Sequence, residues 1–78
     1  MALDQPTYQA RVSAEVRVEM ARQHINAKTL AARTGISQAT LSRSLNSARE
    51  FTIGELEAIA VVLDVEPSAF LPPLAVAS

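Results

Sequence analysis

Large apolar residues recur along this chain at three- and four-residue steps. Val12, Val16 and Met20 repeat every four positions, with Tyr8 one turn earlier and Ala14, Val18 and Ala21 flanking them. That is the buried stripe of an amphipathic helix, and it predicts a first helix from about Thr7 to Gln23. Ile25 leads into a second, Ala27 to Thr34, with Asn26 as its cap. Leu41 and Leu45, four apart, give a buried stripe to a third, from about Gln38 to Asn46. Phe51 anchors the loop that follows. The fourth helix opens with T-I-G-E, where Thr52 and Glu55 form a capping box; Ile53, Leu56, Ile59, Ala60 and Leu63 then make one continuous core face that ends near Asp64. Glu66-Pro67 starts a short fifth helix, since proline suits a first turn, and Phe70 and Leu71 fold back on the core. Strand alternation and internal repeats are absent from the sequence. The pattern predicts an all-α, compact five-helix domain over residues 7–71, with a flexible N-terminus (1–6) and a flexible C-terminal tail (72–78).

The most informative stretch is K-T-L-A-A-R-T-G-I-S-Q-A-T-L-S-R-S-L-N, residues 28–46. Leu30 and Ala31 set a large and a small apolar group side by side, so one fills the core and the other lets a crossing helix come close. Gly35 ends the second helix where a left-handed residue is needed. Ile36 drops from the turn into the core, and Ser37 caps the third helix. Gln38, Ala39, Ser42 and Arg43 are left facing outward. Two short helices joined in this way have the layout of a helix-turn-helix.

Composition narrows the class. Of 78 residues, 49% are hydrophobic, and alanine supplies so many of these that only short, closely packed elements can share the core. With no cysteine, neither disulfides nor a thiolate zinc site can support the fold. No apolar run approaches the ~20 residues of a membrane span, and the N-terminal M-A-L-D-Q-P-T has no signal-peptide character, so a cytoplasmic location is expected. Enzyme chemistry lacks its parts: there is one histidine, no glycine-rich phosphate loop and no base beside Ser37 or Ser42 in sequence. His24 reads as a surface or capping residue, and neither metal nor cofactor is expected.

The net charge of −1 argues against a nucleic-acid partner until its distribution is considered. Met20 to Arg49 contains Arg22, Lys28, Arg33, Arg43 and Arg49 and no acid, whereas Glu50 to Ser78 contains Glu50, Glu55, Glu57, Asp64 and Glu66 and no cation. The chain is polarised. The fourth helix has an acid in its first turn, favourable to the helix dipole; the second instead carries Lys28 there and the third is uncharged. An external phosphate would account for both choices.

Residues 12–71, through V-S-A-E-V-R-V-E-M-A-R, T-L-A-A-R-T-G-I-S-Q-A-T-L-S-R-S-L and F-T-I-G-E-L-E-A-I-A-V-V-L-D-V, resemble the Cro and lambda-repressor-like (XRE-type) helix-turn-helix family, in wording similar to small regulators of actinobacteria and their phages. Many members have glycine where Asp64 stands, and many have E-x-G after the third helix where this chain has Leu45-Asn46-Ser47. The resemblance implies a lambda-repressor-like fold whose third helix enters the major groove of DNA, with Gln38, Ala39, Thr40, Ser42 and Arg43 near base edges. Gln38 suits adenine and Arg43 suits guanine, with a phosphate contact as the alternative for Arg43; Ala39 suits a thymine methyl. Asn26, Lys28, Thr29, Ser37, Asn46 and Arg49 are the candidates for the DNA backbone, Asn26 and Thr29 being equally explicable as helix-start residues.

The expectation is a sequence-specific double-stranded DNA-binding regulator, most naturally a repressor. One reading helix covers few base pairs, so a homodimer on a near-palindrome is expected, with half-sites about 34 Å apart. Phe70, Leu71, Leu74 and Val76 are the candidate contacts between copies. The alternative is a protein-interaction module, such as an antitoxin or phage adaptor, whose acidic half (50–78) meets a basic partner.

Overall fold

A computed structural model describes residues 7–73. Four α-helices follow in order: α1 (Tyr8–Arg22), α2 (Ala27–Thr34), α3 (Gln38–Leu45) and α4 (Ile53–Leu63), then a 3-10 turn, Pro67–Phe70. Each α-helix starts on a side-chain oxygen that accepts a backbone N–H three residues on: Thr7 from Ala10, Asn26 from Thr29, Ser37 from Thr40 and Thr52 from Glu55. At α4 the Glu55 side chain returns the bond to the Thr52 N–H, completing the capping box.

The helix ends rely on left-handed residues. Gly35 (φ 79°) closes α2, its N–H donating to the Ala31 carbonyl. The other three ends use His24 (φ 56°), Ser47 (φ 63°) and Asp64 (φ 58°). The N–H that follows each reaches back to a carbonyl five residues earlier: Ile25 to Met20, Ala48 to Arg43 and Val65 to Ala60. These are Schellman closures built on residues that tolerate the left-handed region less well than glycine. Ser47 and Asp64 thus close their helices without glycine.

The core gathers Val12, Val16 and Met20 from α1, Leu30 and Ala31 from α2, Leu41 and Leu45 from α3, Leu56, Ile59, Ala60 and Leu63 from α4, and Phe70 from the final turn. Tyr8, Ile25, Ile36, Phe51 and Val65 pack against it, half-buried. Each large side chain fully withdrawn from water contributes roughly 1.5–3 kcal/mol, and that burial holds together helices too short to persist alone.

Four expectations need correction. The fifth helix is a single 3-10 turn, because Pro72 and Pro73 lack N–H donors and residues before proline favour an extended backbone, as Leu71 shows at φ −106°, ψ 94°. Ile53 lies outside the core at 79% exposure. It is the first residue of α4, and a helical side chain leans over the turn preceding its own Cα, which here is loop. Phe70, offered as a contact between copies, is 1% exposed and belongs to the core of its own chain. Pro72 and Pro73, assigned to the tail, are held to α1: the Pro72 carbonyl accepts the Tyr8 hydroxyl at 2.7 Å and the Pro73 carbonyl accepts Arg11 Nη2 at 3.2 Å. Residues 1–6 and 74–78, including Leu74 and Val76, lie outside the described residues.

Replacing Ile59, fully buried, by alanine is expected to cost about 2–5 kcal/mol, whereas Ile53→Ala should stay within about 0.5 kcal/mol. Urea denaturation of the two variants checks the contrast.

Candidate nucleic-acid interface

The α2–turn–α3 unit is built as its sequence suggests. Thr34 Oγ1 donates to the Leu30 carbonyl at 2.8 Å and accepts the Ile36 N–H at 3.3 Å, tightening the turn around Gly35. Ile36 enters the edge of the core, and Leu41, Ser44 and Leu45 turn one side of α3 inward. Gln38, Ala39, Ser42, Arg43 and Asn46 are exposed. At about 100° per residue these five share one side of the helix. Thr40 does not join them; it is half-buried and sits roughly 130° round the helix from the centre of that face.

At the start of α2, Asn26 and Lys28 are exposed and Thr29 is half-buried. Asn26 and Ser37 are engaged as caps, at 2.8 and 3.1 Å, which uses acceptor capacity only. The amide N–H groups of Asn26 and the hydroxyl proton of Ser37 remain donors, as an anion requires. The helix starts are less distinctive than the sequence suggested, because α1 also lacks an acid in its first turn. Charge distribution is the stronger observation. Among the described residues ion pairs form at Arg22–Glu19 and Arg49–Glu55, and Lys28, Arg33 and Arg43 are outside both. No group of His, Cys, Asp and Glu that could hold a metal occurs among the described residues.

Arg49 has a different role from the phosphate contact expected of it. Its Nη1 and Nη2 reach the two Glu55 carboxylate oxygens at 2.9 and 3.0 Å, and Nη1 also donates to Ser44 Oγ at 2.8 Å. The side chains are 31% and 18% exposed, so the pair is partly sheltered. It ties the α3–α4 loop to the capping box. The hydrogen bonds from Arg49 hold the Glu55 carboxyl below the ordinary glutamate range, with the Thr52 N–H acting in the same direction and burial opposing them. The same bond raises the Arg49 pKa.

Sequence reasoning missed the polar side of α1. Gln9, Ser13 and Arg17, spaced by four, all donate to carbonyls at the end of α3 and just beyond. Gln9 Nε2 meets the Ser47 carbonyl at 2.9 Å, Ser13 Oγ meets that of Ser44 at 2.6 Å, and Arg17 Nη1 meets that of Leu45. An open groove of about 410 Å³ runs between α1, the start of α2 and α3, with Arg17, Ala27, Ser42 and Asn46 on its walls.

Residues 15–71, which carry the α2–turn–α3 unit, match the family described as the Cro/C1-type HTH DNA-binding domain. The chain belongs to that family. Two solved structures are similar to this chain in fold. An HTH_3 family transcriptional regulator from Vibrio cholerae aligns with a TM-score of 0.75 at 24% identity, over 81% of this chain and 35% of that one. The restriction-modification controller protein C.AhdI from Aeromonas hydrophila aligns with a TM-score of 0.77 at 17% identity, over 81% of this chain and 96% of that one. At these identities the likeness is one of fold, and the chain spans about a third of the Vibrio cholerae protein. Comparison with curated proteins finds no match. No helix of the described residues is long and apolar enough to cross a membrane.

Because folding lowers the Glu55 pKa, the stability this gives is complete above the ordinary value of ~4.3 and is lost as pH falls through the lower folded value. Glu55→Gln should therefore lower stability at neutral pH and flatten its decline in that acid window. Thermal melts of both proteins from pH 7 to pH 2 test the sign.

Proposed function

We propose that this Cro/C1-type domain is a sequence-specific regulator of transcription that works as a repressor, laying α3 in the major groove of an operator and excluding polymerase. The observation that carries the reading is the exposed side of α3, where Gln38, Ala39, Ser42, Arg43 and Asn46 lie together within an acid-free stretch of chain. Gln38 offers a paired donor and acceptor to adenine N6 and N7, Arg43 a fork of donors to guanine O6 and N7, and Ala39 a small apolar contact for a thymine methyl. Asn26, Lys28, Ser37 and Asn46, all exposed, serve the phosphates, with Thr29 beside them. Thr40, half-buried off the reading face, fits the cap and the edge of the backbone contact better than a base.

Specificity at useful strength takes two copies, so the working species is a homodimer on a near-palindromic site. Leu71, 47% exposed, and the tail residues Leu74 and Val76 are the proposed contact now that Phe70 is internal. DNA as partner places the activity in the cytoplasm, at the nucleoid.

A protein partner is favoured by one observation. Ile53 and Val61, each 79% exposed, flank exposed Glu57 at four-residue steps along α4, within the acidic half of the chain. A basic protein would meet this surface. Glu57→Lys tests it cleanly, whereas Glu55, locked to Arg49 and Thr52, does not. Glu57→Lys is expected to weaken such a complex and leave duplex affinity nearly unchanged; joint loss of both in pull-down and gel-shift assays counts against separate surfaces.

Selection of bound sites from a random duplex pool tests the DNA reading. Gln38→Ala and Arg43→Ala should each lower affinity for the selected site by about 1–3 kcal/mol and relax preference at one base position. Lys28→Ala should weaken all duplexes alike and reduce the salt slope by about one unit. A wild-type chain that selects nothing and binds no duplex in a salt-dependent way sinks the proposal.

A further inference from the structure

The apolar side of α3 fixes its rotation, because Leu41 and Leu45 must both face the core. Along the axis of α3, close packing and the short turn from α2 limit its position, and directional bonds refine it further. Hydrophobic contact is non-directional, and sliding by one residue moves a helix only about 1.5 Å. Hydrogen bonds weaken steeply away from good geometry, so the bonds from Gln9, Ser13 and Arg17 to the Ser47, Ser44 and Leu45 carbonyls resist that slide. Three donors from three successive turns of α1 hold one end of α3, and Gln38 and Ala39 lie at the other. The Arg17 cation also sits where the α3 dipole is negative.

We infer that Arg17, with Ser13 and Gln9, is a positioning residue for DNA reading: it sets the axial register of α3 and thereby the base preference of Gln38 and Arg43 without reading a base itself. The inference rests on the DNA-reading function proposed above. Arg17 is the best probe, since it is exposed and contributes no core volume, whereas Ser13 is fully buried. Register matters more for specificity than for general affinity. Phosphate contacts tolerate small displacements, while a two-bond contact to a base edge does not.

The test uses the whole chain and the site it selects from a random duplex pool. Arg17→Met removes the donors and keeps much of the side-chain length; Arg17→Lys restores one donor to the Leu45 carbonyl. For Arg17→Met the expected result is a folded protein by circular dichroism, a fall of about tenfold in the affinity ratio between the selected site and its single-base variants, and an unchanged salt slope. Arg17→Lys should recover most of the ratio. A preference profile identical to wild type in Arg17→Met overturns the inference alone. So does a salt slope reduced by one unit with the ratio intact, which would make Arg17 a phosphate ligand. A wild type that selects no site overturns both this inference and the function on which it rests.

Discussion

The fixing of the end of α3 to α1 is the constraint around which the domain is organised. An eight-residue helix leaves its last carbonyls without partners inside itself, and buried carbonyls cost free energy unless something donates to them. Here the N–H groups of Asn46, Ala48 and Ser47 serve the Ser42, Arg43 and Ser44 carbonyls locally, and α1 adds donors to the Ser44, Leu45 and Ser47 carbonyls. Ser13 is fully buried to reach the Ser44 carbonyl, and Ser44, buried in turn, offers its hydroxyl oxygen to Arg49. From Arg49 the connection continues to Glu55 and the first turn of α4. One polar path thus joins α1, α3 and α4 beside the apolar core. Burial gives cohesion and this path gives geometry.

The division explains which features were legible in the sequence. Local devices announce themselves: Gly35 at the turn, the caps Asn26 and Ser37, the Thr52–Glu55 box, and apolar stripes at helical spacing. Each depends on residues within one or two turns, so the four helices, the core of the helix-turn-helix and the outward face of α3 follow from adjacency alone. Gln9, Ser13 and Arg17 depend on carbonyls 38, 31 and 28 residues further on. A polar stripe at helical spacing reads as a solvated face, and backbone acceptors leave no mark in a sequence.

Arg49 shows the same limit from the other side. Charge counting put it with the cations available to phosphate, since it closes the acid-free stretch. The six-residue separation from Glu55 lets the loop fold so that the guanidinium meets the carboxylate in a two-bond fork. Ile53 failed for a related reason. Its step to Leu56 is correct, but its place at the very start of α4 leaves no core beneath it. Phe70 was correctly assigned to the core as one option, and the proline pair beyond it decided how short its element would be.

The three helix ends closed by His24, Ser47 and Asp64 have a wider consequence. Holding a side chain in the left-handed region costs roughly 1–2 kcal/mol per residue relative to the right-handed one, a cost glycine largely escapes. None of the three lies on the outward side of α3. The fold thus holds a reserve of stability away from that surface, open to single substitutions. Substitutions on the outward side of α3 that lower stability can be offset at a helix end, so that change on that face and maintenance of the fold need not compete for the same residues.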